Sequence, residues 1–457
     1  MATQVAGRRQ QKTRKMTETL KTAWSIPDVR RRLLFVGWIL VVYTGCVYVP
    51  LPGIDRAALE SFFSRAGGGG VLDLLNAFSG GALREFSVIA LGIMPYINAS
   101  IIFQLLTIAI PALERMQREE GEEGRRTIAK YIRWATVALA IVQATGLSVM
   151  LRSQGILDPG FMNLILVIIT MTAGTSFLMW LGEELSEKGI GNGVSLLIFM
   201  GIMCSIPDQV GQTAAKLRVG AIQSQNVIGL MLVLVLIIAF IIVIQQGQRR
   251  IEVNYASRVV GHRMYRGHSS YLPLKVNQAG VIPIIFAISV FMFPATLAQF
   301  LLSDSLAKAI GVEAAVLQRI ASKIVEFQPG IGANGVAAAI VYFALVVVFT
   351  YFYTAVTFKP AEVAETLRKN GGTIPGRRPG GPTVKYLDQL LVRITLPGAL
   401  FLGLIALTPY YVPLLTHVDT FNVVGGTSLL IVVGVTMDTM QGLEAHLLMR
   451  NYEGFIS

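Results

Sequence analysis

Charge is what this chain has least of: 14% of its 457 residues are charged, against 53% that are hydrophobic. Mean hydropathy is +0.60. Soluble globular domains carry about 25% charged residues, so that class is excluded and a chain built to sit in lipid is indicated. Cysteine is nearly absent, and the two present, Cys46 and Cys204, both fall in apolar stretches. There a free thiol behaves as a small hydrophobe, which leaves neither a disulfide framework nor a cysteine metal site. The four histidines, His262, His268, His417 and His446, lie in connections or the tail. No HExxH, GxxxxGKS/T or GxSxG string occurs, so metalloprotease, nucleotide-hydrolysing and serine-hydrolase chemistry lack their residues. The expectation is a protein that is no enzyme and needs no metal or cofactor. A cleavable leader is also missing: the first apolar run starts at Leu33 and leads into PLPGID, so the first span is expected to stay.

What is present is a series of apolar runs long enough to cross a hydrocarbon core. They begin near Leu33, Phe86, Ile132, Gly160, Ile190, Val227, Val276, Gly335, Gln389 and Phe421, which makes ten candidate membrane helices. An even count puts both termini on one side. Of the 39 Lys and Arg, 28 lie in the two tails and the even-numbered connections and 9 in the odd ones. Positive charge near span ends stays cytoplasmic, so both termini are expected there.

The second run carries polar groups without charge. Residues 91–106 read LGIMPYINASIIFQLL, and at 100° per residue Ile93, Ile97, Ser100 and Gln104 fall within about 60° of one another. Such a stripe, apolar at one end and polar at the other, gains nothing from lipid and suits a pore wall. Before it, residues 51–85 are expected outside: four glycines at 67–70, then VLDLLNAF, then Ser79, Gly80 and Gly81. The apolar piece is too short to span, which fits a re-entrant plug or a surface loop with a helical turn and a glycine cap. The fifth run opens with GNGVSLLIF at 191–199, the seventh holds GVIPIIFAIS at 280–289 with a proline read as mid-span, and the tenth holds GGTSLLI at 425–431.

Charged groups inside the runs are confined to Arg393 and Asp438, in the cytoplasmic halves of their helices, where snorkelling or an interhelical pair is expected. Two cytoplasmic connections are long and basic. In 247–275 the alternation of Ile251, Val253 and Tyr255 allows a short hairpin, and 359–388 reads as a helix followed by a Gly-, Pro- and Arg-rich stretch. Arg249, Arg250, Arg377 and Arg378 suit bidentate contacts to rRNA phosphates or acidic patches on a partner, although the positive-inside rule alone accounts for basic loops. The nine basic residues of 1–32 read as a topology anchor that also touches anionic lipid.

In order and spacing, LGIMPYINASIIFQLL, FLMWLGEELSEKGIGNGVSLLIF, LPLKVNQAGVIPIIF, FTYFYTAVTFKPAEVAETLRKNGGTIPGRRPG and GGTSLLIVVGVTMD closely resemble the bacterial SecY family, the central subunit of the protein-conducting channel. The likeness runs from about Ile26 to the end. It implies an all-α polytopic membrane protein whose ten transmembrane helices form two pseudo-symmetric five-helix halves around a central pore, with a re-entrant plug helix. The implied layout is a basic arm at 1–32, a first half at 33–206 with the plug at 71–81, a hinge connection at 207–226, a second half at 227–441 and a tail at 442–457.

By motif position the resemblance places the pore ring at Ile93, Ile97, Val194, Ile198, Ile285 and Ile431. It places the plug at Val71, Leu72, Leu74, Leu75, Phe78, Gly80 and Gly81. A lateral gate between the second and seventh spans, with the third and eighth alongside, takes Asn98, Gln104 and Asn277. Arg249, Arg250, Arg377 and Arg378 fall to motor or ribosome binding. Val194 stands where isoleucine is frequent in the family and Asn98 where serine is usual. The implied partners are the small membrane subunits SecE and SecG, the SecA ATPase motor, the translating ribosome, signal sequences and nascent chains, and the bilayer. The implied location is the bacterial cytoplasmic membrane. A secondary transporter for a small solute, or a non-conducting insertase, are the rival readings, and a transporter calls for buried ionisable groups that the runs lack.

Overall fold

The computed structural model describes residues 24, 26–54, 79–118, 120–153, 155–158, 160–255, 258–260, 263–265, 269–301, 327, 329, 333–418 and 426–453. The basic arm up to residue 23 lies outside them, as do Val71, Leu72, Leu74, Leu75 and Phe78 of the expected plug. The described helices are α1 (Pro27–Val47), α2 (Met94–Ala109), α3 (Pro111–Arg118), α4 (Gly121–Ser153), α5 (Phe161–Lys188), α6 (Gly193–Arg218), α7 (Ser224–Gln246), α8 (Ile282–Leu301), α9 (Ala333–Thr357), α10 (Pro360–Lys369), α11 (Gly381–Thr416) and α12 (Gly426–Glu453). All but α3 and α10 coincide in order with the ten apolar runs. By length and composition, six described helices are able to cross a membrane, and Met94–Ala109 and Ile282–Phe291 are shorter apolar helices.

Several boundaries differ from the sequence reading, each for a local reason. The second helix starts at Met94, because Gly92 takes a left-handed φ of 59° and Pro95 occupies the first turn, where its missing N–H removes no bond. Residues 79–93 are turns instead of helix. Pro283, read as mid-span, likewise sits in the first turn of α8, and the internal proline is Pro294. The third span begins at Gly121, so Arg125, Arg126 and Lys130 are helical. Of the expected hinge at 207–226, α6 carries the chain to Arg218 despite Pro207, which leaves 219–223 as the connection before α7. The last helix runs on through much of the expected tail, to Glu453.

Within the first half α1 and α6 pack on α5, and α2 packs on α4 and α5; in the second, α8 and α9 pack with α11, and α7 with α11 and α12. The halves meet where α8 touches α2 and α4 and where α6 touches α12. One apolar cluster runs through both halves, from Ile39 and Tyr43 of α1 to Leu429, Leu430 and Val435 of α12.

The two basic connections form one body. The expected hairpin is present: β1 (Gln248–Tyr255) pairs antiparallel with β4 (Ser269–Lys275), Ile251 facing Leu272 and Val253 facing Ser270. Between them β2 (Arg258–Val260) pairs with β3 (Arg263–Tyr265). The second connection adds β5 (Gly372–Thr373) to the other edge of β1. Alternation then places Ile251 and Val253 on one face, where they pack with Leu274, Phe358, Ala364, Ile374 and Leu387.

Candidate functional site

The six residues expected to form the ring come from four helices of both halves and enter one cluster. Ile93, Ile97, Ile198 and Ile431 are buried in it, and Val194 and Ile285 pack against it half-buried. Ile93 is the residue before α2, and the other five lie within the first two turns of α2, α6, α8 and α12. Local hydrogen bonds fix the start of α6. Asn192 caps α6 by accepting the Ser195 amide, while the Ser186 hydroxyl of α5 accepts the Gly193 amide.

Glycine sets the spacing. A Cβ on Gly193 would fall on the Gly182 carbonyl oxygen of α5, so the α5 and α6 backbones touch. A Cβ on Gly182 would sit 3.3 Å from Val194 Cγ2 and 3.5 Å from Ile93 Cδ1, so two expected ring residues share that one patch of α5. In the second half, a Cβ on Gly426 would fall on Thr408 Oγ1, which seats the start of α12 against α11.

The residues expected at the lateral gate do not gather as one set. Asn98 is half-buried on α2, and its buried Oδ1 has no hydrogen-bond partner among the described residues. Gln104, two turns further, is exposed. Asn277 lies in the turn between β4 and α8, not on the helix; its amide donates to the Gly280 carbonyl at 2.9 Å while its buried Oδ1 is unpartnered among the described residues.

The arginines are exposed on the body formed by the two basic connections, with different surroundings. Arg249 and Arg250 are adjacent on β1, opposite Leu274 and Pro273, so their side chains leave opposite faces of the sheet. Arg377 lies over the Tyr386 ring with its guanidinium 5.0 Å from the centroid, a cation–π contact that orients it. Arg378 is exposed, and its carbonyl accepts from Thr383 Oγ1 at 2.9 Å at the start of α11.

Sequence reasoning missed an ion pair. Arg133, twelve residues into α4, donates from Nε to Glu183 of α5 at 2.8 Å, and Tyr96 of α2 lies close enough to feel both charges. Glu183 lies inside α5, which runs to Lys188, so the helix carries it beside Arg133 of α4. Asp438 of α12 feels the charge of Lys275 at the end of β4, whose Nζ reaches Gln441 at 3.2 Å, a contact between strand and helix in place of the interhelical pair expected for it.

The SecY family model matches residues 87–440. Over 434 residues the chain is 44% identical to protein translocase subunit SecY of Pseudomonas aeruginosa, covering 94% of both proteins. The chain belongs to the SecY family. Two solved structures share the fold: one described as a protein conducting channel (TM-score 0.64, 18% identity, 91% of this chain and 92% of that one), and Sec61 in the canine ribosome-channel complex from the endoplasmic reticulum (TM-score 0.59, 17% identity, 91% and 92%). As a SecY family member with six helices able to cross a membrane, the chain is a membrane protein.

Proposed function

We propose that this chain is the channel subunit through which unfolded secretory polypeptides cross a membrane and from which transmembrane segments pass sideways into lipid. The observation that supports the reading is that Ile93, Ile97, Val194, Ile198, Ile285 and Ile431, from four helices of two halves, all belong to or pack against one apolar cluster. An aliphatic constriction excludes water and ions by dewetting, yet its side chains give way to a chain that pushes between them. Residues 71–81, with Gly80 and Gly81 at the end, act as the plug. The side where α8 approaches α2 and α4 is the exit to lipid, bordered by Asn98, Gln104 and Asn277.

With no nucleotide-binding string in the sequence, the chain is a conduit and not an enzyme, and its driving force comes from a SecA-type motor or a translating ribosome. The exposed Arg249, Arg250, Arg377 and Arg378 receive those partners, and SecE and SecG complete the complex. The membrane is the bacterial cytoplasmic membrane, with both termini cytoplasmic. A signal of ten apolar residues gains about 3 to 6 kcal/mol by entering lipid, the scale of a two-state conformational gap, so an apolar signal suffices to bias opening.

The test is crosslinking of a stalled precursor to single cysteines at Ile93, Ile285 and Ile431, in a chain lacking Cys46 and Cys204. Adducts at all three are expected. Reaction only with lipid-borne reagents, or saturable uptake of a small solute in place of precursor transport, would overturn the reading.

A further inference from the structure

The seam between α9 and α11 buries two phenol hydroxyls, those of Tyr342 and Tyr410. A Cβ on Gly403 of α11 would lie 2.5 Å from the Phe343 ring of α9, and the Tyr351 hydroxyl donates to the Val392 carbonyl at 3.3 Å. Rising numbers on α9 thus meet falling numbers on α11, so the two helices run antiparallel. Helical side chains lean toward the N-terminus of their own helix, which tips Tyr342 of α9 and Tyr410 of α11 toward one another. Their rings meet edge to face with centroids 6.4 Å apart, and the two phenols interact electrostatically. Tyr342 is fully buried, and neither hydroxyl oxygen has a hydrogen-bond partner among the described residues. Phe291 of α8 covers Tyr342, with ring centroids 5.2 Å apart. The backbone adds a further polar group. Pro409 and Pro413 lack an N–H, so α11 leaves the Ile405 and Pro409 carbonyls without their helical donors. The Ile405 carbonyl accepts from Thr408 Oγ1 at 2.6 Å instead, and the Pro409 carbonyl belongs to the residue beside Tyr410.

We propose that Tyr342 and Tyr410 hold one buried water molecule between α9 and α11, which pins these two helices together beside α8. A buried hydroxyl without a partner loses its hydration and gains no bond in exchange, whereas a bridging water restores bonds to both phenols at once. Two to four polar groups suffice to order a buried water. The two phenols meet that number by themselves, and the Pro409 carbonyl offers a further acceptor. Phe291 presents only a hydrocarbon ring there, so α8 takes no part in the bridge.

The experiment uses the full chain in its membrane complex, with Tyr342→Phe, Tyr410→Phe and the double variant, each of which keeps the rings and removes hydroxyls. Each single change is expected to shift the unfolding equilibrium in detergent about five-fold toward the unfolded state, and the double variant is expected to shift it no further than the larger single. Dry hydroxyls predict the opposite sign. Removing one would then leave stability unchanged or raise it, and that result overturns the proposal. Additive losses overturn it too, because they mean that each hydroxyl has a partner of its own. Cryo-electron microscopy of the unaltered complex, at a resolution that shows waters, is expected to reveal one density within hydrogen-bond reach of both phenol oxygens. That map decides if a variant fails to accumulate: two oxygens in direct contact, or no density between them, overturns the water bridge.

Discussion

The two places where the halves meet are built differently. Where α12 meets the first half beside α6, the contact is apolar and close: Leu443 and Leu447 form a buried cluster with Val29 of α1 and Ile190 of the connection before α6, and a Cβ on Gly442 would lie in ordinary contact, 3.6 Å from Ile190. On the side of α2 and α8, Asn98 of α2 and Asn277 of the turn before α8 each bury a carbonyl oxygen with no partner among the described residues. Well-packed apolar surface resists separation, while an unsatisfied buried acceptor lowers the cost of letting water or a client in. The difference teaches that one contact is suited to persist as a hinge and the other to open, although both join the same two bodies.

The largest expected effect comes from breaking the tight side. Leu443→Ala removes a buried side chain from a small cluster and is expected to cost about 2 to 5 kcal/mol, read as a lower unfolding temperature of the purified complex in detergent. A change below 0.5 kcal/mol would mean that this contact does not hold the halves. Polarity in the shared cluster comes next. Ile431→Asn is expected to cost about 1 to 3 kcal/mol and to raise resting ion leak severalfold, measured in planar bilayers.

The opposite sign is expected on the other side. Asn98→Leu replaces a half-satisfied amide by apolar volume, strengthens the closed contact by about 1 kcal/mol and so lowers export of weak-signal precursors about five-fold while intact signals still pass. Faster weak-signal export in that variant would invert the comparison.

Far from both contacts the effects shrink. On α10 the hydrogen bond from Lys369 holds the Glu365 carboxyl below the usual carboxylate range. A lowered folded-state pKa means that the contribution is present above the unfolded value and is lost as pH falls through the folded one. Hydrogen exchange in α10 is therefore expected to quicken slightly on acidification below the ordinary carboxylate range, and salt is expected to screen the effect because the pair is exposed. The gate-side ratios are expected to stay unchanged in Glu365→Gln.

Much of this molecule was legible from residue order. Apolar runs of spanning length must become helices in lipid, since no other local structure satisfies the backbone there, so the ten runs and the hairpin at Ile251 and Val253 follow from pattern. Helix starts were less legible. Pro95 and Pro283 read as interruptions within spans, and only the fold showed them opening α2 and α8, because a first-turn proline and a mid-helix proline look alike in a string.

The sequence by itself determined the environment and the helix inventory, because those depend on hydropathy and periodicity. Tertiary structure alone decided which distant groups share a surface: Arg133 with Glu183, β5 beside β1, the Tyr43 hydroxyl on Ser79, and a packed contact on one side of the halves against unsatisfied amides on the other. Those pairings join residues tens to more than a hundred positions apart. They are fixed by how helices pack through glycine-sized gaps, which no local propensity encodes.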